Sequence, residues 1–159
     1  MLYNENCKTM MDFEQMILHF LIALALGAFM GLEREMIGKE AGIRTSMLVA
    51  GGAAIFAIIG INLPYLVSTS PENLPEVIAR NSGFLNVIAN IVVGIGFLGA
   101  GVIIKTEEHV KGLTTAATMW STAAVGTLAG LGLMRFAVFS AIIISGLLYL
   151  LTRKRILKK

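Results

Sequence analysis

Residues 94–120 read GIGFLGAGVIIKTEEHVKGLTTAATMW. A glycine-studded apolar run leads into a short charged loop and then into a run of threonines and alanines. Two readings compete for it, a dinucleotide-binding loop and a packed membrane helix. Gly94, Gly96 and Gly99 match the spacing G-x-G-x-x-G. That fingerprint requires a strand before it, a helix after it and an acid about 20 residues on. Here a helix-length apolar run precedes it, and Thr114 to Thr122 holds no acid. In a soluble helix Gly94, Gly96, Gly99 and Gly101 would each cost about 1 kcal/mol against alanine. In a membrane no hydrophobic effect drives helices together, and small residues let backbones approach closely. The context favours the membrane helix.

Composition points the same way. The 159 residues are 56% hydrophobic and 14% charged, against roughly 25% charged residues in a soluble domain. The chain cannot easily cover itself with polar surface. Its one cysteine, Cys7, leaves no intramolecular disulfide and no cysteine cluster for a metal. The net charge of +3 is not arranged as a nucleic-acid face, because the basic residues lie between apolar runs and at the tail.

Outward from the central stretch, the chain divides into a polar leader (1–12), a transmembrane domain (13–152) and a basic tail (153–159). Apolar runs cover Phe13 to Leu32, Ile43 to Asn62, Gly83 to Ile104, Leu113 to Leu133 and Phe136 to Leu151. About 20 apolar residues cross the hydrocarbon core. The first run is too long for a signal-peptide core and lacks a basic leader beyond Lys8 and the amino terminus. The stretch from Leu63 to Asn81 carries all three prolines and reads as a loop with at most one interfacial turn. The expected fold is all-α, a polytopic bundle of about five membrane helices. Ten of the thirteen Lys and Arg residues fall on one side: Arg34, Lys39, Arg44, Lys105, Lys111 and the five of the tail. The positive-inside rule then sets the N-terminus outside and the C-terminus in the cytoplasm.

A shift of 70 residues superposes Gly31 on Gly101, Gly42 on Gly112, Thr45 on Thr115, Ala53 and Ala54 on Ala123 and Ala124, and Gly60 on Gly130. This is the trace expected of two parallel hairpins, although a chain rich in Gly and Ala also produces such matches by chance. At about 100° per residue, Asn90, Gly94, Gly101 and Lys105 share one face of the third helix, and Gly96, Gly99 and Ala100 the opposite one. Notches on both sides predict a central helix, so Gly94→Leu and Gly99→Leu are both expected to destabilise the fold. Gly27 and Gly31 form a small-xxx-small stripe suited to packing within the chain or to a dimer seam, and a two-fold homodimer is the expected assembly.

The polar residues each allow two readings. Asn90 is expected near mid-membrane, pointing into the protein, as an interhelical hydrogen bond or as part of a conduction path. Thr114, Thr115, Thr118, Ser121 and Thr122 lie within about 120° of helix circumference; they bond their own i−4 carbonyls or line a wet face. His19 reads as a packing residue or a proton relay. At the basic-rich end, which the charge bias makes cytoplasmic, Glu33, Arg34 and Glu35 close the first helix, and Arg44 and Thr45 open the second. At least one glutamate is expected to look inward and pair with Arg44. Carboxylates and hydroxyls there could also hold Mg²⁺, which favours oxygen ligands. No nucleophile–base constellation exists, with only His19 and His109 available, and no enzyme or resident cofactor is expected.

Gly31-Leu-Glu-Arg-Glu35, Ala41-Gly-Ile-Arg-Thr45, Gly94-Ile-Gly-Phe-Leu-Gly-Ala-Gly101 and Gly112-Leu-Thr-Thr-Ala-Ala-Thr118, followed by Trp120, resemble the MgtC/SapB (YhiD) family of membrane proteins. The motifs span most of the chain. The resemblance implies a bacterial inner-membrane protein of about five helices. Some relatives are linked to growth at low magnesium and survival inside host cells, and some are proposed to act on the proton-translocating ATP synthase. Relatives usually carry Asp-x-x-Arg just before the glycine run, where this chain has Gly83 and Asn86, and often a histidine where it has Ser46. Many continue into a soluble C-terminal domain, and functions residing there are not expected here. The reading that follows is an adaptor or regulator in magnesium or ion-stress physiology that binds other membrane components. Its rival is a small-ion or solute transporter.

Overall fold

The computed structural model describes residues 10–68, 72–80 and 83–156. Most of the expected polar leader and the end of the basic tail lie outside the described residues. The elements are α1 (Phe13–Met36), α2 (Ile43–Val67), α3 (Leu74–Arg80), α4 (Gly83–Val102), β1 (Ile104–Lys105), β2 (Val110–Lys111), α5 (Leu113–Gly130) and α6 (Met134–Ile156). Four of them, α1, α2, α4 and α6, contain stretches long and apolar enough to cross a membrane. At 18 residues, α5 spans roughly 27 Å. Its hydroxyls lower its hydropathy, and it is among the most buried helices, so it need not be lipophilic all round. The protein is an all-α, multi-pass membrane bundle with one small β-ribbon.

The centre of the bundle is α2, packed between α1 and α5. The contacts are made by small residues: Ala23, Ala50, Ala54, Ala57 and Ala129 are fully buried. A Cβ on Gly27 would lie 2.5 Å from the Ser46 carbonyl oxygen, and one on Gly31 2.6 Å from Ile43 Cα. A Cβ on Gly126 would run into the Ala50 carbonyl, and one on Gly130 would lie 2.6 Å from that of Ala54. Where backbones approach this closely, dispersion and buried van der Waals contact hold the helices without a hydrophobic driving force. Gly126 over Ala50 and Gly130 over Ala54 also show that α2 and α5 run in the same direction. Their N-caps, Gly42 and Gly112, are the pair that a shift of 70 residues superposes.

The expectation of a central third helix is corrected. α4 lies at the edge of the bundle, against α5 and α2, with only 6% of its spanning window buried. Of Gly94, Gly96, Gly99 and Gly101 only Gly99 meets a neighbour, with a Cβ there 3.4 Å from that of Ala116; the other three face open space within this chain. Lys105 is not on the helix at all. α4 ends at Val102, and Lys105 pairs with Val110 in an antiparallel ribbon. The ribbon returns the chain to Gly112, whose φ of +87° favours glycine; any side chain there would also strike the Val102 carbonyl.

Two further boundaries differ. α2 runs through Pro64 and stops where the Ser68 N–H reaches the Pro64 carbonyl, well past Asn62. The stretch read as a loop with one turn holds the seven-residue α3. Gly27 and Gly31 are consumed by the α1–α2 contact, so they do not form a dimer seam.

Candidate functional site

At one end of the bundle the last turns of α1 and α6 meet the α1–α2 connection and the first turn of α5. Arg34 is 2% exposed and Glu33 8%, although both stand in the last turn of a membrane helix. The Arg34 Nη2 donates to Thr115 Oγ1 at 2.7 Å. The Thr115 hydroxyl in turn donates to Glu40 Oε2 at 3.4 Å. Thr152 Oγ1 donates to Glu33 Oε1 at 2.9 Å. These bonds tie three helices and a connection into one polar knot. Burying a charge is costly unless it is hydrogen-bonded, and the knot meets that demand only in part. Glu33 Oε2 and Arg34 Nε are buried without a partner. One free acceptor and one free donor on consecutive residues suit a bridging water.

Glu35 looks the other way. Its Oε2 accepts the Ile43 N–H at 2.9 Å, capping α2 where the N-cap Gly42 offers no side chain. A carboxylate at a helix N-terminus is also favoured by the helix dipole. Glu33 is thus the inward glutamate, as the two faces of the motif require, but its bond goes to Thr152. Arg44 is exposed and makes no ion pair among the described residues. Glu33, Glu35 and Glu40 each accept from a different partner. Among the described residues no group of three or more His, Cys, Asp or Glu converges.

The α5 hydroxyls separate by depth. Thr118 donates to the Thr114 carbonyl at 2.7 Å, Ser121 to that of Ala117 at 3.0 Å and Thr122 to that of Thr118 at 2.8 Å. Thr118 and Thr122 are buried, so this face is protein-packed and satisfies its own helix. Thr114 is exposed. Only Thr115 reaches another element. His19 faces the far end of α5, its Nδ1 3.4 Å from the Gly130 carbonyl, in the position of a packing residue.

Asn90 does not point into the protein. It is exposed and lines an apolar cleft of about 770 Å³ between α2 and α4, with Arg44 and Thr45 also on its wall. Sequence reasoning missed Thr152, Glu40 and Asn62. Asn62 is buried, accepts the Met11 N–H at 2.9 Å and donates to the Ile58 carbonyl at 2.8 Å. The one signal for Thr152 is a hydroxyl at the junction between the apolar run and the basic tail.

The sequence profile of the MgtC family matches residues 20–156. The chain is 45% identical to Protein MgtC of Salmonella typhimurium over 128 residues, 80% of this chain and 48% of that protein. It is 41% identical to Protein MgtC of Brucella abortus over 122 residues, 77% of this chain and 45% of that one. An uncharacterized Synechocystis protein is 41% identical over 134 residues, 84% of this chain and 51% of its own length. The chain thus spans about half the length of the curated relatives it matches. No solved structure matches it.

Proposed function

The chain belongs to the MgtC family, and from that premise we propose an adaptor or regulator of the bacterial inner membrane, acting in magnesium or ion-stress physiology by binding other membrane components. The observation that carries this reading is the edge position of α4. Val93 and Phe97 are highly exposed, and Gly96 and Gly101 leave the backbone open beside them. A helix notched with small residues and attached along one side only is suited to a second helix at close range. A two-fold dimer through this face belongs to the same reading, as does a membrane enzyme such as the ATP synthase that the family resemblance suggests. Neither catalysis nor a resident metal is part of it. A monomeric mass in nanodiscs would remove the dimer.

The alternative is a transporter or channel for a small ion or solute. It rests on Asn90, a polar group in an apolar cleft without a partner among the described residues. The test is flux in proteoliposomes, first of magnesium and then of protons, comparing wild type with Asn90→Leu and Glu33→Gln. Saturable flux abolished by Asn90→Leu establishes the transporter. Absence of flux, with a native membrane partner that co-purifies with wild type and is lost when Phe97 is changed to Glu, is the result the adaptor reading expects.

A further inference from the structure

The cleft between α2 and α4 has polar groups near its two ends and an apolar wall between. Along α2 it runs from Arg44 and Thr45 to Phe56, and along α4 from Leu98 back to Val87. Twelve residues of helix from Arg44 to Phe56 rise roughly 18 Å. Half of a hydrocarbon core of about 30 Å is about 15 Å. The cleft therefore has the depth of one leaflet, whereas a partner helix would call for a groove across the whole membrane. Its floor is open because Gly52 and Gly94 have nothing within 4 Å of where a Cβ would stand.

At this end Arg44 is exposed and has no ion-pair partner among the described residues. Glu35 accepts the Ile43 N–H and Glu40 the Thr115 hydroxyl, and neither pairs with Arg44. The first N–H groups of a helix have no acceptor within it. That of Ile43 is met by Glu35, and no partner for those of Arg44 and Thr45 occurs among the described residues. A guanidinium, a hydroxyl and two free amides at the mouth match a phosphate. The apolar wall below matches a hydrocarbon chain.

We infer that this cleft binds one anionic phospholipid of the adjoining leaflet, its phosphate at Arg44 and one acyl chain laid along Gly52 and Gly94. Asn90 stands deeper, beside the far part of the chain, and does not recognise the headgroup. The site is compatible with the adaptor reading and competes with a conduction path at Asn90, which lines the same cleft.

Native mass spectrometry of the delipidated protein in detergent tests the assignment, with phosphatidylglycerol and phosphatidylcholine of identical chains as probes and glycerol phosphate as a headgroup without a chain. Wild type is expected to retain phosphatidylglycerol over phosphatidylcholine by on the order of fivefold, the effect of one basic residue near a membrane surface, and not to retain glycerol phosphate. Arg44→Gln is expected to erase the preference and keep the chain. Gly94→Leu fills open space, keeps the helix content seen by circular dichroism, and is expected to lose both lipids. Asn90→Leu keeps the preference. Equal retention of the two lipids by wild type would overturn the inference. So would a preference that survives Arg44→Gln, lipid retained by folded Gly94→Leu, or a dimer mass that forms only as lipid leaves, which would give the cleft to a second copy.

Discussion

Arg34 was identifiable as special from the sequence, because an Arg between two glutamates at the end of a membrane helix needs a reason to be there. Its partner was not. The nearest opposite charges along the chain suggested pairing within the rim, between a glutamate and Arg44. The bonds instead reach Thr115 and Thr152, 81 and 119 residues away. Sequence distance carries no information about which helix ends meet. The hydroxyl run on α5 was equally ambiguous, since threonines that bond their own helix and a threonine that bonds an arginine look alike in one dimension. A pair of near-isosteric changes separates them. Thr115→Val strands a buried guanidinium N–H and is expected to lower stability by about 1–3 kcal/mol. Thr118→Val removes only a bond to its own i−4 carbonyl and is expected to cost less than about 1 kcal/mol. Thermal unfolding in mild detergent reads the difference. Equal losses would mean that the Arg34 bond does not stabilise the fold.

At the scale of the element, α1, α2, α4, α5 and α6 all begin within two residues of where the apolar runs begin, and their hydropathy was legible. What hydropathy does not encode is which helix is inside. Glycines on two faces of α4 implied neighbours on two faces, but only Gly99 touches one, and the close contacts belong to glycines that the same rule treats no differently, Gly126 and Gly130. A membrane helix is apolar whether it faces lipid or protein, so the usual contrast between core and surface is missing. Substitution should restore it. Gly126→Leu drives a side chain into the Ala50 backbone, which cannot yield, and is expected to cost about 3 kcal/mol or more or to prevent folding. Gly94→Leu enters open space and gains helix propensity of up to about 1 kcal/mol, so it is expected to leave stability unchanged or raised. A comparison of melting temperatures in detergent checks both. Loss of stability in Gly94→Leu would return α4 to the middle of the bundle.

At the scale of the whole molecule the remaining question is orientation, which internal geometry cannot fix and charge can. The polar knot, the ribbon and the Arg44 end of the cleft all lie at the end of the bundle where the α1–α2 and α4–α5 connections sit. That end carries Arg34, Lys39, Arg44, Lys105 and Lys111, and the basic run at the end of α6 lies there, whereas Arg80 and Arg135 belong to the other and Lys8 precedes α1 in the sequence. Translocating a positively charged connection is disfavoured, and the bias is counted over short loops such as these. Burial of Arg34 weakens its own vote, because a guanidinium tied to Thr115 is not free in a loop, yet nine of the remaining twelve still agree. The expected topology is therefore N-terminus outside, C-terminus and polar knot in the cytoplasm. Cys7 is the chain's one thiol and precedes α1, so it reports on that side without engineering. A membrane-impermeant maleimide applied to intact cells, or to spheroplasts where an outer membrane intervenes, is expected to label it. Labelling that appears only after the inner membrane is broken would invert the bundle and place Arg44 and its cleft in the outer leaflet.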